Sequence, residues 1–256
     1  MQLAVIGGTG VSDLDFLGPG EMKQVDTVYD TRPVTVFVYQ QSGKQCLFLP
    51  RHGINHATPP HRVNYRANIA ALATLGAGAV VALNAVGGIH EKLGPGAFAV
   101  PDQLVDYTWG RQTSFFDGGD EGVQHTDFTW PFDADLRKTL VSCSSDVLAN
   151  RRPGESLMTE GVYGVTQGPR LETAAEIRKL RADGCDMVGM TLMPEAVLAR
   201  ERGLAYACLC LSVNWAAGLV TEPITMEEIG QVVEDGRPVI EGIVSGVLAA
   251  WAAGTA

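Results

Sequence analysis

Leu3-Ala4-Val5-Ile6 runs without a break into Gly7-Gly8-Thr9-Gly10, an apolar strand closed by a glycine-bearing polar tip. The pattern recurs. Gln45-Cys46-Leu47-Phe48-Leu49-Pro50 ends at Arg51-His52-Gly53, and Ala79-Val80-Val81-Ala82-Leu83 ends at Asn84-Ala85. Cys185 through Met190 leads to Thr191, and Ala207 through Val213 leads to Asn214. Runs this continuously apolar fit a sheet covered on both faces. In open α/β sheets ligands gather outside the carboxyl ends of the strands. These tips carry hydroxyls, amides, an Arg and a His, with no carboxylate directly on a tip, which suits a small anion together with a polar organic ligand.

Outward from the tips, strands are expected at 2–6, 34–39, 45–50, 79–84, about 157–166, 185–190 and 205–213. Helical periodicity marks 62–76, 134–149, 170–182, 194–202 and 225–252. The last of these opens on Thr225-Met226-Glu227-Glu228, a capping-box pattern that satisfies orphan N–H groups. Residues 107–132 are aromatic, Gly-rich and irregular, and a loop that long is usually functional or covered at an interface. No linker or repeat divides the chain. The expectation is one α/β domain over 1–256, a twisted mixed central sheet flanked by helices.

The chain has 256 residues, 46% of them hydrophobic, enough for a sizeable core. Its net charge of −10 comes without a Lys/Arg cluster, which argues against nucleic acid and anionic membrane surfaces as partners. Any bound anion must be held by local donors, because the overall field repels it. No basic segment precedes an apolar stretch at the N-terminus, and no apolar run reaches membrane-spanning length. Cys46, Cys143, Cys185, Cys208 and Cys210 lack disulfide or zinc spacing. They read as reduced residues, mostly core, of a cytoplasmic protein.

Taken singly, most motifs leave alternatives open. Gly7-Gly8-Thr9-Gly10 is either a phosphate-binding turn or only a tight turn, and Ser12 departs from dinucleotide spacing. An oxidoreductase reading also lacks the acidic residue that should end a second strand, since 25–32 shows no clean strand end. Arg51 supplies a bidentate fork for phosphate oxygens. Arg-His-Gly also marks histidine phosphatases, but there it follows the first strand, whereas here it follows the third. His52, His56 and His61 share no helical face, because Pro59-Pro60 intervenes, and no Cys or carboxylate completes a ligand set; no metal is expected. Cys208 and Cys210 alternate on a strand and read as core. Glu172, at the start of an expected helix, reads by itself as a partner for the helix dipole.

The motifs say more in combination. Gly-Gly-Thr-Gly, Arg-His-Gly, Val63-Asn64-Tyr65-x-Ala67-Asn68, Asn84-Ala-Val-Gly-Gly, Gly168-Pro-Arg and Met190-Thr191-x-x-Pro194-Glu195 follow in this order. The set resembles the trimeric nucleoside phosphorylases, the family of methylthioadenosine and purine nucleoside phosphorylases, from Leu3 to about Met226. The resemblance implies a nucleoside phosphorylase fold, a homotrimer, inorganic phosphate as co-substrate, and neither metal nor organic cofactor. It implies that Thr9, Arg51, His52, Asn84, Ala85 and Thr191 surround phosphate and that Met190 packs on the ribose. Leu171, Glu172, Asn214, Trp215 and Ala216 fall among the substrate-binding residues, and His125 is placed at a neighbouring subunit's 5′ pocket. Catalytic weight falls on Asn214, Glu172 and His52.

Two departures sharpen the substrate. Methylthioadenosine phosphorylases carry an Asp near the last strand tip and a small Ser where this chain has Glu172; here the tip reads Asn214-Trp215-Ala216. Glu with Asn resembles the 6-oxopurine enzymes. A 6-oxopurine donates from N1–H and accepts at O6, matching a carboxylate and an amide, whereas adenine N1 would face the carboxylate with no proton between them. At the 5′ end, ordinary purine nucleoside phosphorylases use a His on the last helix. This chain offers Ile224 and Met226, an apolar wall suited to a methylthio group. The expected substrate is S-methyl-5′-thioinosine, with methylthioadenosine or a general 6-oxopurine nucleoside as the alternative.

Overall fold

The computed structural model describes residues 1–41, 43–118 and 122–254. β5 (Ala77–Gly88) is the axis of its sheet. β1 (Gln2–Gly7) runs parallel along the first half of β5, and β10 (Ala205–Trp215) runs parallel along its other edge. Beyond Ala82 the β1 edge is vacated, and β9 (Met187–Gly189) pairs antiparallel with Gly87 and Gly88. β8 (Val162–Val165) and β7 (Gln103–Asp106) continue parallel from β9. On the other side β1 pairs with β4 (Lys44–Pro50), then antiparallel β3 (Asp30–Gln41) and β2 (Glu21–Thr27). The short β6 (Phe98–Ala99) pairs with β10, completing a mixed sheet.

Alternation explains the unbroken apolar runs. Leu3, Val5, Ala79, Val81, Ala207 and Leu209 face one core with α2 (Ala134–Arg151) and α5 (Met226–Ala253). Ala4, Ile6, Val80, Ala82, Tyr206 and Cys208 face a second core with α1 (Tyr65–Thr74) and α4 (Leu192–Glu201). Both faces are buried, so both phases of the period-2 pattern are apolar. A smaller cluster joins Ile177 and Leu180 of α3 (Ala174–Ala182) to Val188 and Ala216. Among the described residues no helix is long and apolar enough to cross a membrane.

The expected elements are present, with shifted ends. β2 occupies residues that show no strand signal, because it is an edge strand of which only Val25 is buried. β6 and β7 are too short to leave a periodic pattern. α3 begins at Ala174, not at 170: Thr173 accepts from Glu176 N–H while the Glu176 carboxylate accepts from Thr173 N–H, a complete capping box. Glu172 therefore stands one residue before the helix cap. At α5 only half of the expected box forms: Thr225 accepts from Glu228 N–H, but the carboxylate takes the Thr225 hydroxyl. Residues 107–132 stay irregular apart from an isolated Asp117–Val123 pairing; 119–121 lie outside the described residues.

Candidate active site

The tips of β1, β4, β5, β9 and β10 open into one cavity of about 560 Å³. Thr9, Arg51, His52, Asn84, Ala85 and Thr191 line it. Met190, Leu171, Glu172, Asn214 and Ala216 also line it, as do Ile224 and Met226 from the approach to α5. The structure thus brings together nearly all the expected residues. Trp215 is not among the residues lining the cavity; its indole packs over Gly94. His125 is exposed and outside the lining formed by its own chain.

Arg51 is 2% exposed and lies across Glu195, which is 1% exposed. Nε donates to Oε2 at 2.6 Å and Nη2 to Oε1 at 2.8 Å. Nη1 donates to the Leu83 carbonyl at 3.2 Å, and Nη2 also to Asn84 Oδ1 at 3.1 Å. The bidentate fork expected to face phosphate is therefore engaged by a carboxylate, and at most an Nη1 hydrogen is left for an anion. Burial works against the Arg51 charge, but Glu195 outweighs it and holds the guanidinium pKa above its ordinary value. Gly8 permits this approach, because a Cβ there would stand 2.8 Å from Nη1 and 2.6 Å from the Leu83 oxygen.

The pair organises its neighbours. Tyr206 donates its hydroxyl to Glu195 Oε1 at 2.8 Å. Asn84, oriented by Arg51, donates from Nδ2 to the Tyr163 hydroxyl and to Thr191 Oγ1, both at 3.2 Å. Both Asn84 amide hydrogens are used inside the protein, so its side chain has no donor left for phosphate and its expected place beside the anion is indirect. Thr191 accepts from Asn84, which leaves its own hydroxyl proton to donate. That hydroxyl makes no cap bond to α4, whose first turn is interrupted at Met193 (φ −111°, ψ 137°).

His52 Nδ1–H donates to the Thr58 carbonyl at 2.7 Å, a bond that fixes the ring tautomer and leaves Nε2 as an acceptor. Burial, and then the Arg51 charge, push its pKa down to about 4. His56, whose ring lies 4.5 Å away, is shifted down for the same two reasons.

β10 slips register against β5 between Ser212 and Asn214. The bulge turns successive residues Val213 and Asn214 toward the same space, as bulges do when they re-aim a side chain. Asn214 Nδ2 donates to the Trp215 carbonyl at 2.7 Å, leaving one amide hydrogen and Oδ1. Glu172 Oε1 accepts from the Thr166 hydroxyl at 2.5 Å. The Met190 thioether passes so close to Gly168 that a Cβ there would stand 2.5 Å from sulfur, and Gly168 adopts φ +61°. Met226 is 72% exposed and forms rim, not wall.

Sequence reasoning missed three supports. Glu195 sat in a quoted motif without a role, and only its company with Pro194 signalled it. Thr166 carried no signal. Arg111, in the irregular segment, donates to the Met190, Met193, Thr166 and Gln167 carbonyls at 2.5–3.3 Å, tying that segment to the cavity floor. A lone Arg among aromatics gives no sequence clue to carbonyl capping.

Residues 2–249 match the model of the Phosphorylase superfamily. The chain belongs to that superfamily. It is 51% identical over 230 residues to a probable S-methyl-5′-thioinosine phosphorylase of Xanthomonas campestris pv. campestris, covering 90% of each chain. It is 40% identical over 257 residues to a 6-oxopurine nucleoside phosphorylase of Pyrococcus furiosus, covering 97% of this chain and 91% of the other. Among solved structures, the methylthioadenosine phosphorylase of Schistosoma mansoni in complex with adenine superposes with a TM-score of 0.91 at 30% identity, over 99% of this chain and 92% of that one. The fold expected from the motifs is the fold of this superfamily.

Proposed function

We propose that the protein catalyses phosphate-dependent cleavage of the N-glycosidic bond of S-methyl-5′-thioinosine, giving hypoxanthine and 5-methylthioribose 1-phosphate. The observation that carries the reading is one cavity lined both by Thr9, Arg51, His52 and Thr191 and by Glu172 and Asn214. Relatives with about half their residues identical bear the corresponding name.

In this reading phosphate sits among Thr9, Ala85, Thr191, His52 and the remaining Nη1 hydrogen of Arg51. The Arg51–Glu195 pair is neutral overall, so the anion is held by aimed dipoles more than by net charge. The neutral His52 offers Nε2 to a protonated phosphate oxygen. Ribose lies over Met190, with phosphate positioned to attack the anomeric carbon as the C–N bond lengthens, an arrangement in which proximity supplies several kcal/mol. The bonding electrons leave with the purine. Asn214 donates to the base at O6 or N7 as negative charge builds, and Glu172 accepts N1–H. Leu171 and Ala216 pack on the base, and Ile224 and Met226 receive the methylthio group. No metal or organic cofactor takes part.

A homotrimer accompanies this reading, with His125 reaching a neighbouring subunit's 5′ pocket. Trp109, Val123 and Trp130 are 73%, 74% and 67% exposed on the irregular segment, apolar area of the kind that subunit contact covers. Sedimentation of a single species of three chains tests the assembly. The reaction itself is tested by incubating methylthioinosine with and without inorganic phosphate. Hypoxanthine release only with phosphate supports phosphorolysis, and equal release without it would make the protein a hydrolase.

A further inference from the structure

Glu172 is shared between two spaces. It lines the 560 Å³ cavity and also a neighbouring cavity of about 370 Å³ formed with Tyr107, Trp109, Gln167 and Lys179. Thr166 lines only the second. Its hydroxyl donates across the boundary to Glu172 Oε1 at 2.5 Å, the short distance typical of a hydroxyl on a carboxylate. Gly189 O, at 3.4 Å from the same hydroxyl, is a much poorer acceptor. No hydrogen bond reaches Glu172 Oε2 among the described residues.

Thr166 can act as a fixed donor because its backbone is pinned. It follows the last residue of β8; its N–H donates to Gly189 O at 2.8 Å, and its carbonyl accepts from Arg111 Nη2 at 3.3 Å. Glu172 has no comparable anchor. It lies in the stretch between Pro169 and the Thr173 cap, outside any helix, on a side chain with several rotatable bonds. A carboxylate so placed turns freely unless one oxygen is held, and each rotamer frozen before binding is entropy not lost on binding.

We infer that Thr166 is a positioning residue for base selectivity: its hydroxyl engages one oxygen of Glu172 so that the other is left to read the purine edge. The inference rests on the base reading proposed above. A held carboxylate with one oxygen free accepts a single N–H, which a 6-oxopurine supplies at N1. A carboxylate released from Thr166 can swing aside and let a 6-aminopurine enter without facing its N1 lone pair.

The test compares kcat/KM for methylthioinosine and methylthioadenosine in the wild type, Thr166→Val, Thr166→Ser, Glu172→Gln and the Thr166→Val/Glu172→Gln double variant. Thr166→Val keeps the shape and deletes the donor, and it is expected to lower the oxo-to-amino ratio roughly tenfold, the size of one hydrogen bond to a charged group. Thr166→Ser should restore the ratio, and the valine change should add nothing to Glu172→Gln. Should Thr166→Val fold poorly, Thr166→Ala and the affinities for free hypoxanthine and adenine give the same ratio. An unchanged ratio in Thr166→Val beside a changed one in Glu172→Gln overturns the role of Thr166 and leaves the base reading standing. Unchanged ratios in both overturn the base reading and the inference with it. Equal loss on both nucleosides, without a change in ratio, makes Thr166 merely structural.

Discussion

Arg51 lays its guanidinium on the Glu195 carboxylate, 2.6 and 2.8 Å away, with both residues sealed from solvent. A cation at an anion site is ordinarily read as the anion's direct partner. Here it acts first as a template, setting Asn84, which sets Thr191. Breaking a buried pair by removing one partner leaves an uncompensated charge. Glu195→Gln is expected to cost about 3 kcal/mol of unfolding free energy. In the protein that still folds, KM for phosphate should rise more than KM for nucleoside. Denaturant melts and two-substrate kinetics measure both; an unchanged phosphate KM would remove Glu195 from the site.

His52 gives a pH signature. Its folded pKa of about 4 lies below the ordinary 6.5, so between those values the unfolded chain binds more protons than the folded one. Its contribution to stability is complete above the upper value and is lost as pH falls toward the lower. The slope from one such group is at most about 1.4 kcal/mol per pH unit. His52→Gln should flatten the melting-temperature profile over this window, leaving the part due to His56. A parallel profile would mean that His52 is not buried as a neutral ring.

Phosphate near neutral pH already carries an O–H, and the neutral His52 accepts it at Nε2 without net uptake of a proton. His52→Phe, which keeps a ring and removes the acceptor, should raise KM for phosphate more than KM for nucleoside in two-substrate kinetics. An unchanged phosphate KM would contradict the acceptor role of Nε2.

Met226 sits at the rim, where a polar replacement can reach both substrate and water. Met226→His should raise kcat/KM for inosine relative to methylthioinosine by roughly 2- to 10-fold, the range of one neutral hydrogen bond. If neither specificity constant moves, Met226 does not meet the 5′ group.

What was legible in the sequence follows from which signals are local. β1, β4, β5 and β10 are buried on both faces, so their apolar runs are unbroken, and the polar residue ending each run marks the cavity. β2 was invisible because an exposed edge strand has no apolar phase to show. The start of α3 was misplaced because helical periodicity continues backward through Arg170 and Leu171, while the Thr173–Glu176 box ends the helix there. The composition of the site was legible and its wiring was not. A sequence shows that Arg51 and Glu195 exist, but only packing 144 positions apart shows that they face each other.

The most direct measurement is phosphate-dependent release of free base from methylthioinosine, methylthioadenosine and inosine, run side by side. Fast hypoxanthine release from methylthioinosine, with the other two at least about a hundredfold slower in kcat/KM, is the predicted result, because each mismatch leaves a polar group unpaired. Preferred cleavage of methylthioadenosine would contradict the Glu172–Asn214 reading, and preferred cleavage of inosine would contradict the apolar 5′ wall.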